Sequence, residues 1–432
     1  MNIYNFPSKE GEDRVKAIIE RGLGFSQKDY DSVYAFIEDV KTRGDKALVE
    51  YTNRFDSKEV TKSTLRVTRE EFDQAMKQVD QKFLSALDRA VDQLEAFHSR
   101  QRTNSWIDTP RDGVIVGQMV RPVDAAGIYA PGAAGGRTPL VSSILMGGIP
   151  ARVAGVASVS LMTPPMADGR INPFMLAAAQ KVGIDAVFKA GSAWAIAALA
   201  YGTESVPKVD VIAGPGNIYV TLAKKIVSGS VGIDMIAGPS EILVVADSSA
   251  DPDFIAADLL SQAEHDPMAS AILVTDSQEI ARKTDAALKR QLAGLSRKET
   301  AEKSIADFGA VMVVPDMETG LDLANRIAPE HLELLVEHPF NYLGRIRNAG
   351  AVFLGPHTPE PVGDYVAGPN HVLPTAGTAR FSSALSVDVF TKKTSLINYS
   401  GRAFEREAED IITLAEIEGL GAHAQSIKIR RR

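Results

Sequence analysis

The chain has no cysteine anywhere in its 432 residues. That excludes disulfides, a thiolate nucleophile and any sulfur-held metal, so a metal here must be bound through nitrogen and oxygen. It also makes a reducing cytoplasm the expected home. Long apolar runs are missing too. None reaches the roughly 18–20 residues of a membrane span, and the opening MNIYNFPSKEGEDR lacks the apolar centre of a signal peptide. Basic segments are scarce: net charge is −8, and only the closing KIRRR is strongly basic. Neither nucleic acid nor a membrane is therefore expected as a partner. Internal repeats, low-complexity tracts and a true G-x-G-x-x-G are also lacking.

What is present is an ordinary globular composition, 45% hydrophobic and 24% charged, in a chain long enough for two or three domains. The first hundred residues read as helical, with Ser26 and Asp29 opening one helix and Thr68 with Glu71 forming a capping box for another. From about residue 113, short β-rich runs alternate with helical stretches: GVIVGQMV, ASVSLM, AVFKA, VDVIAG, ILVVAD, AILVTD, AVMVVPD and AVFLG. Such alternation predicts parallel α/β sheets, and eight or so strands suggest two of them. Gly-rich turns at YAPGAAGG (129–136) and AGPGN (213–217) mark a seam. The expected organisation is a helical segment over 1–26, an α/β domain from 27–128 and 239–384, a second α/β domain inserted at 129–238, and a C-terminal extension over 385–432.

Four stretches carry candidate chemistry. In DPDFIAADLLSQAEHDP, Asp251 and Pro252 suit a helix start, and Asp266-Pro267 suits its end. Residues i and i+3 share a helix face, so Gln262 and His265 converge while Glu264 points elsewhere. A surface helix end with a histidine near the C-terminal dipole is the plainer reading. In IAPEHLELL, Glu330 and His331 sit between a helical run and a strand-like one, where an open α/β sheet places its crevice, and such a pair can divide proton transfer from water activation. A solvated loop pair is the alternative. PEPVGDYVAGPNHVLP is dense in Pro and Gly and ionisable at Asp364 and His371, as a ligand-positioning loop or a plain structured turn would be. In EIEGLGAH, Glu418 ends the last helix, Gly419 and Gly421 break it and His423 follows, which a polar helix end explains nearly as well. The Gly-rich turns can also offer backbone N–H groups to a pyrophosphate.

Taken together, YAPG, SSILMGGIPARVAGV, AIAALAYGTESVPKVDVIAGPGN, DMIAGPSE, DLLSQAEHDP, APEHLE, GDYVAGPNHVLPTAGTARFSS and EGLGAH resemble the histidinol dehydrogenase family over nearly the whole chain. The resemblance implies a homodimer of intertwined subunits, each with two Rossmann-like domains. It implies oxidation of L-histidinol through the aldehyde to L-histidine with two NAD and one zinc ion per site. The family's zinc ligands fall here on Gln262, His265, Asp364 and His423, the last supplied across the dimer. Zinc would orient the substrate rather than polarise the reacting alcohol. Catalysis maps onto His331 as the base that removes the hydroxyl proton and Glu330 as the group that activates water. Ser240, Glu418 and His331 join the zinc ligands as substrate contacts, and Tyr129, Asn217 and Trp194 fall at NAD contacts.

Trp194 departs from the family pattern, which often has Gln there, and an indole cannot reproduce an amide's paired hydrogen bonding. His371 is assigned a structural role only, and His98, His338 and His357 read as surface or packing histidines. The rivals are a dehydrogenase of another amino alcohol or polyol, which Glu418 and His423 argue against, and a zinc hydrolase, which leaves the Gly-rich turns unexplained. A non-catalytic binding protein would not need every matched catalytic position intact.

Overall fold

A strand buried on both faces reads as a near-continuous apolar run, and such runs build the centre of this protein. The computed structural model describes residues 1–22, 24–133 and 138–431, so the end of YAPGAAGG (134–136) lies outside the described residues. Glu241–Ala246 and Ser270–Thr275 are buried at every position and pair in parallel. They are the middle of a six-stranded sheet, ordered Ile3–Asn5, Ala310–Val313, Ser270–Thr275, Glu241–Ala246, His331–Leu335 and Ala351–Leu354. A five-stranded sheet follows the order Gly232–Ile233, Val211–Ala213, Ala125–Tyr129, Ser158–Thr163 and Ala186–Lys189. Every pairing in both sheets is parallel. The expected α/β class with two parallel sheets is what the chain adopts.

The strand period of two sends alternate side chains to opposite faces. Ile242, Val244 and Ala246 join a core with Leu259 and Leu260, while Leu243 and Val245 join another with Leu321 and Ile327. Each fully buried Val, Leu or Ile side chain among these contributes about 1.5–3 kcal/mol. Helix starts follow their capping chemistry. Ser26 with Asp29 and Thr68 with Glu71 form reciprocal capping boxes, and Asp251 caps the helix Pro252–Ala263 with Pro252 in its first turn.

Four expectations change. The first hundred residues are not all helical: Ile3–Asn5 is an edge strand paired with Ala310–Val313. The strand Ala125–Tyr129, central in its sheet, is too rich in Ala and Gly to stand out by β propensity. GVIVGQMV belongs to neither parallel sheet. It forms Val114–Pro122, antiparallel to both Trp106–Arg111 and Thr391–Tyr399. Gly421 does not end the helical tail but opens a second helix, Gly421–Lys428, after Gly401–Ile417.

The chain forms two compact units, one from Met1–Gln101 with Asp124–Phe390, the other from Arg102–Val123 with the residues from Thr391 on. The first holds both parallel sheets. Within it, helices Gln27–Arg43 and Asp45–Phe55 put Val33, Ile37, Val40 and Leu48 against Phe188, Ile196 and Ile212 of the five-stranded-sheet core. The expected grouping of 27–128 with 239–384 thus differs from the packing observed. The second unit is the antiparallel sheet with the two C-terminal helices. No helix among the described residues is long and apolar enough to cross a membrane.

Candidate active site

Strand register builds the acid–base pair. Ile242 lies opposite His331, which sets Glu241 beside Glu330 at the amino ends of neighbouring strands. Each of these glutamates binds the other's backbone: the Glu241 N–H donates to Glu330 Oε2 at 2.9 Å, and the Glu330 N–H to Glu241 Oε2 at 3.2 Å. His331 Nδ1 lies 2.8 Å from the Glu241 carbonyl oxygen. A carbonyl only accepts, so Nδ1 carries the hydrogen and the neutral ring keeps its lone pair on Nε2. Nε2 lies 3.8 Å from Glu360 Oε1. Glu330 Oε2 is 3.7 Å from Nδ1, too far for a hydrogen bond, so the two act as separate groups. The sheet rule invoked from sequence places crevices at carboxyl ends of strands. Here the pair stands at the amino ends.

Burial decides the charges. Glu330 and His331 are 8% and 4% exposed. Desolvation holds the His331 imidazole down at about 4, reinforced by His371 and His265 and opposed by the Glu241 carbonyl and Asp364. Desolvation also raises the Glu330 carboxyl well above its ordinary value, with the negative charges of Glu241, Glu360 and Asp364 adding to the rise. The imidazole is therefore a neutral base across the physiological range, and the carboxyl is a stronger proton acceptor than an exposed one.

Beside the pair lies a ligand-like cluster. His331, Glu360 and Asp364 offer atoms within 4.8 Å of one another. Glu360 and Asp364 are four residues apart on the short helix Glu360–Tyr365. Burial first, then the charge of Asp364 and a hydrogen bond with it, pushes the Glu360 carboxyl up to about 8, while a hydrogen bond from Gln262 works the other way. Gln262 is 1% exposed, on the last turn of Pro252–Ala263, and His265 follows the helix end on the exposed side. Gln262 thus joins the cluster through its hydrogen bond with Glu360, which also bonds Asp364. Buried oxygen donors, crowded carboxyls and a helix carboxyl end suit a divalent cation with nitrogen and oxygen ligands. His331, Asp364 and His371 also line a cavity of about 310 Å³ with Phe353, Asn370 and Leu373. The Nε2 of His371 is buried without a hydrogen-bond partner.

The Gly-rich turns belong to the other sheet. Tyr129 ends Ala125–Tyr129, and its hydroxyl accepts the Ser192 N–H at 3.0 Å. Asn217 follows Val211–Ala213 and caps Ile218–Val227 through Oδ1, which accepts from Tyr219 and Val220, each at 3.1 Å. Gly214, at φ 123°, lies so close to the Tyr129 carbonyl that a Cβ there would come within 2.0 Å of its oxygen. Only glycine fits. The turn is braced from behind: Gly214 N–H donates to Asp234, its carbonyl accepts from Lys224 Nζ, and those two side chains form a buried ion pair. Two helix amino ends, Ser192–Tyr201 and Ile218–Val227, therefore face the carboxyl ends of these strands, which suits a pyrophosphate. Trp194 is 4% exposed, stacked on Phe55 at 5.1 Å and edge-on to Phe36, so in this structure its ring is core packing.

Ser240 immediately precedes Glu241, and its carbonyl accepts the Ser270 N–H. Glu418 and His423 belong to the second unit, where Glu418 is the C-cap of Gly401–Ile417 and His423 lies on the helix Gly421–Lys428, both exposed. His98 is fully buried on Gln101 and Asn370, a packing histidine as expected.

Sequence reasoning missed Glu241, Arg21, Glu333, Asp258 and Glu360. Glu333 sits on the fully buried strand His331–Leu335, accepts the Glu360 N–H at 2.9 Å and shares a hydrogen bond with Asp258. Glu360 alone had a readable signal, the i, i+4 spacing to Asp364. Among the described residues three non-glycines have positive φ: Ala328, two residues before Glu330; Ala376, whose N–H binds Glu241; and Ser192, on Tyr129. Such strain gathers at functional sites.

Two parallel sheets, one carrying a buried histidine and carboxyl beside a cation-suited cluster and the other a glycine-lined turn at helix amino ends, define an α/β protein with the groups an enzyme needs. Residues 22–431 match the model of the histidinol dehydrogenase family, so the chain belongs to that family of oxidoreductases of histidine biosynthesis. A curated histidinol dehydrogenase from Desulfotalea psychrophila is 53% identical over 98% of this chain and 99% of its own length. One from Syntrophotalea carbinolica is 51% identical over 100% and 99%. The crystal structure of histidinol dehydrogenase from Elizabethkingia anophelis superposes with a TM-score of 0.93 at 39% identity, over 100% of this chain and 98% of that one.

Proposed function

We propose that the enzyme oxidises L-histidinol to L-histidine in two NAD-linked steps, through L-histidinaldehyde. The observation that carries the reading is the His331 ring, which lines the cavity and is fixed by the Glu241 carbonyl so that its Nε2 keeps a lone pair, beside a buried Glu330. Nε2 takes the hydroxyl proton of the alcohol as its carbon gives up hydride. Glu330 takes a proton from the water that adds to the aldehyde, and Nε2 acts again on the hydrate, which loses a second hydride to become the carboxylate. When bound, NAD accepts the hydrides and zinc holds the substrate's nitrogen atoms so that its hydroxyl lies at the base.

Zinc would be held by Gln262, His265 and Asp364 with the partner's His423, in a homodimer, and Ser240 and Glu418 would contact substrate. Tyr129 and Asn217 would line the NAD cradle, with Trp194 packed beneath it. This division is supported by the donor chemistry of the two sheets and by the family membership. The test is stoichiometric: zinc-loaded enzyme given L-histidinol and excess NAD should form two NADH per substrate consumed. No NAD reduction under those conditions refutes the reading, and one NADH per substrate refutes the second step.

A further inference from the structure

Three polar groups of Glu241 bear on the two residues assigned to proton transfer. Its N–H holds the Glu330 carboxyl, its carbonyl holds His331 Nδ1, and its Oε2 holds the Glu330 backbone. The remaining oxygen, Oε1, accepts from Arg21 Nη2 at 2.7 Å. This ion pair is deeply buried, with side chains 3% and 8% exposed. Nη2 also reaches the Pro239 carbonyl at 3.3 Å, so the guanidinium grips the turn that carries Ser240. Its Cζ lies 5.9 Å from the centre of the Phe308 ring.

A buried ion pair is poor value as a stabilising device, because desolvation offsets most of the attraction and an apolar pair of similar size does as well. What this pair does provide is placement. Among the described residues Arg21 is the one cation on Glu241, and without it two buried carboxylates would face each other across the strand ends. They would separate, and the His331 and Glu330 positions would move with them.

We propose that Arg21 and Glu241 are positioning residues for the reaction, a buried latch that aims His331 Nε2 and the Glu330 carboxyl. The proposal rests on the reading of His331 and Glu330 given above. Neither latch residue touches the cavity. Arg21 also lies one residue ahead of the span matched by the family model, so no motif of the resemblance contains it.

The test uses full-length, zinc-loaded enzyme. Glu241→Gln keeps the shape and both backbone groups but cannot accept from Arg21 and Glu330 at once. It should lower kcat by about 100-fold, the loss expected for a displacement near 1 Å. KM for L-histidinol and bound zinc should stay near those of the unaltered enzyme. Arg21→Ala should do the same, and Arg21→Lys should restore kcat to within about 10-fold, since it returns the charge without the fork. Turnover of L-histidinaldehyde should fall alongside that of L-histidinol, because both residues are aimed by one latch. A ¹⁵N spectrum of His331 should show a single Nδ1–H tautomer in the unaltered protein and a mixture in Glu241→Gln. A kcat within two-fold of normal for Glu241→Gln, or a loss that tracks zinc content or KM, overturns the proposal. If the unaltered enzyme does not reduce NAD with L-histidinol, the functional reading fails instead, and the tautomer measurement, which needs no turnover, still decides the latch.

Discussion

The two parallel sheets of this molecule share an architecture and use opposite ends of it. In the five-stranded sheet the candidate residues follow the carboxyl ends of strands: Tyr129 closes Ala125–Tyr129, and Asn217 comes after Val211–Ala213. In the six-stranded sheet they gather at the amino ends, where Glu241 and His331 begin their strands and Glu330 stands just before one. Helices in a parallel α/β fold run back against the strands, so strand carboxyl ends meet helix amino ends, and strand amino ends meet helix carboxyl ends. The first arrangement is electropositive and offers backbone N–H groups to an anion. The second is electronegative and, with Gln262 at a helix carboxyl end among buried carboxyls, suits a cation. One fold thus offers anion-suited and cation-suited surroundings at opposite ends of its sheets, and the glycines and carboxyls follow that choice.

The comparison can be broken at either end. The largest effect is expected at the base: His331→Asn should lower kcat for both oxidations by about 100- to 10,000-fold. Glu330→Gln should mainly impair aldehyde turnover, and equal loss in the two steps would count against the division of labour. Next, Glu360→Gln removes a group hydrogen-bonded to Asp364 and Gln262 and should weaken zinc binding by about 10- to 100-fold, with KM for NAD unchanged. A shift in KM for NAD instead would mean that the two ends are not chemically separate. On the other sheet, Gly214→Ala should raise KM for NAD several-fold and lower the unfolding temperature without loss of zinc, because its Cβ meets the Tyr129 carbonyl. Zinc loss there would break the comparison from the other side.

The last effect is a pH slope in stability rather than in turnover. The Glu360 carboxyl titrates near 8 when folded and near 4.5 when unfolded, so the folded state holds more protons between those values. Its contribution is present at low pH and disappears as pH rises through about 8, by at most a few kcal/mol at about 1.4 kcal/mol per pH unit. Urea unfolding of the zinc-free protein at pH 5 and pH 8 should show this loss in the unaltered chain and not in Glu360→Gln. Identical slopes for the two would place the pH dependence elsewhere.

Much of the site was legible because its chemistry is local. Capping chemistry marked the helix starts at Ser26, Thr68 and Asp251, and the Glu330–His331 stretch stood out between a helical run and a strand-like one. What stayed hidden depends on register. Glu241 meets Glu330 only because Ile242 pairs with His331, and no local pattern in either segment specifies that pairing. Arg21 and Glu241 are 220 residues apart, and Glu333 looks like an error in an apolar strand until the Glu360 N–H and Asp258 are seen beside it. The choice of strand end was hidden for the same reason, since a carboxylate beside a strand does not say on which side of the sheet the helices turn. Ala125–Tyr129 was missed because small residues were selected for close packing, with Leu199 against Gly127, rather than for strand propensity.

The edge strand Ile3–Asn5 and Arg21 together carry a consequence for anyone shortening this chain. A version starting at residue 22, where the family match begins, would uncover the edge of Ala310–Val313 and leave the Glu241 carboxylate without its cation. An open strand edge recruits other chains. Such a shortened protein should therefore combine low turnover with a tendency to associate.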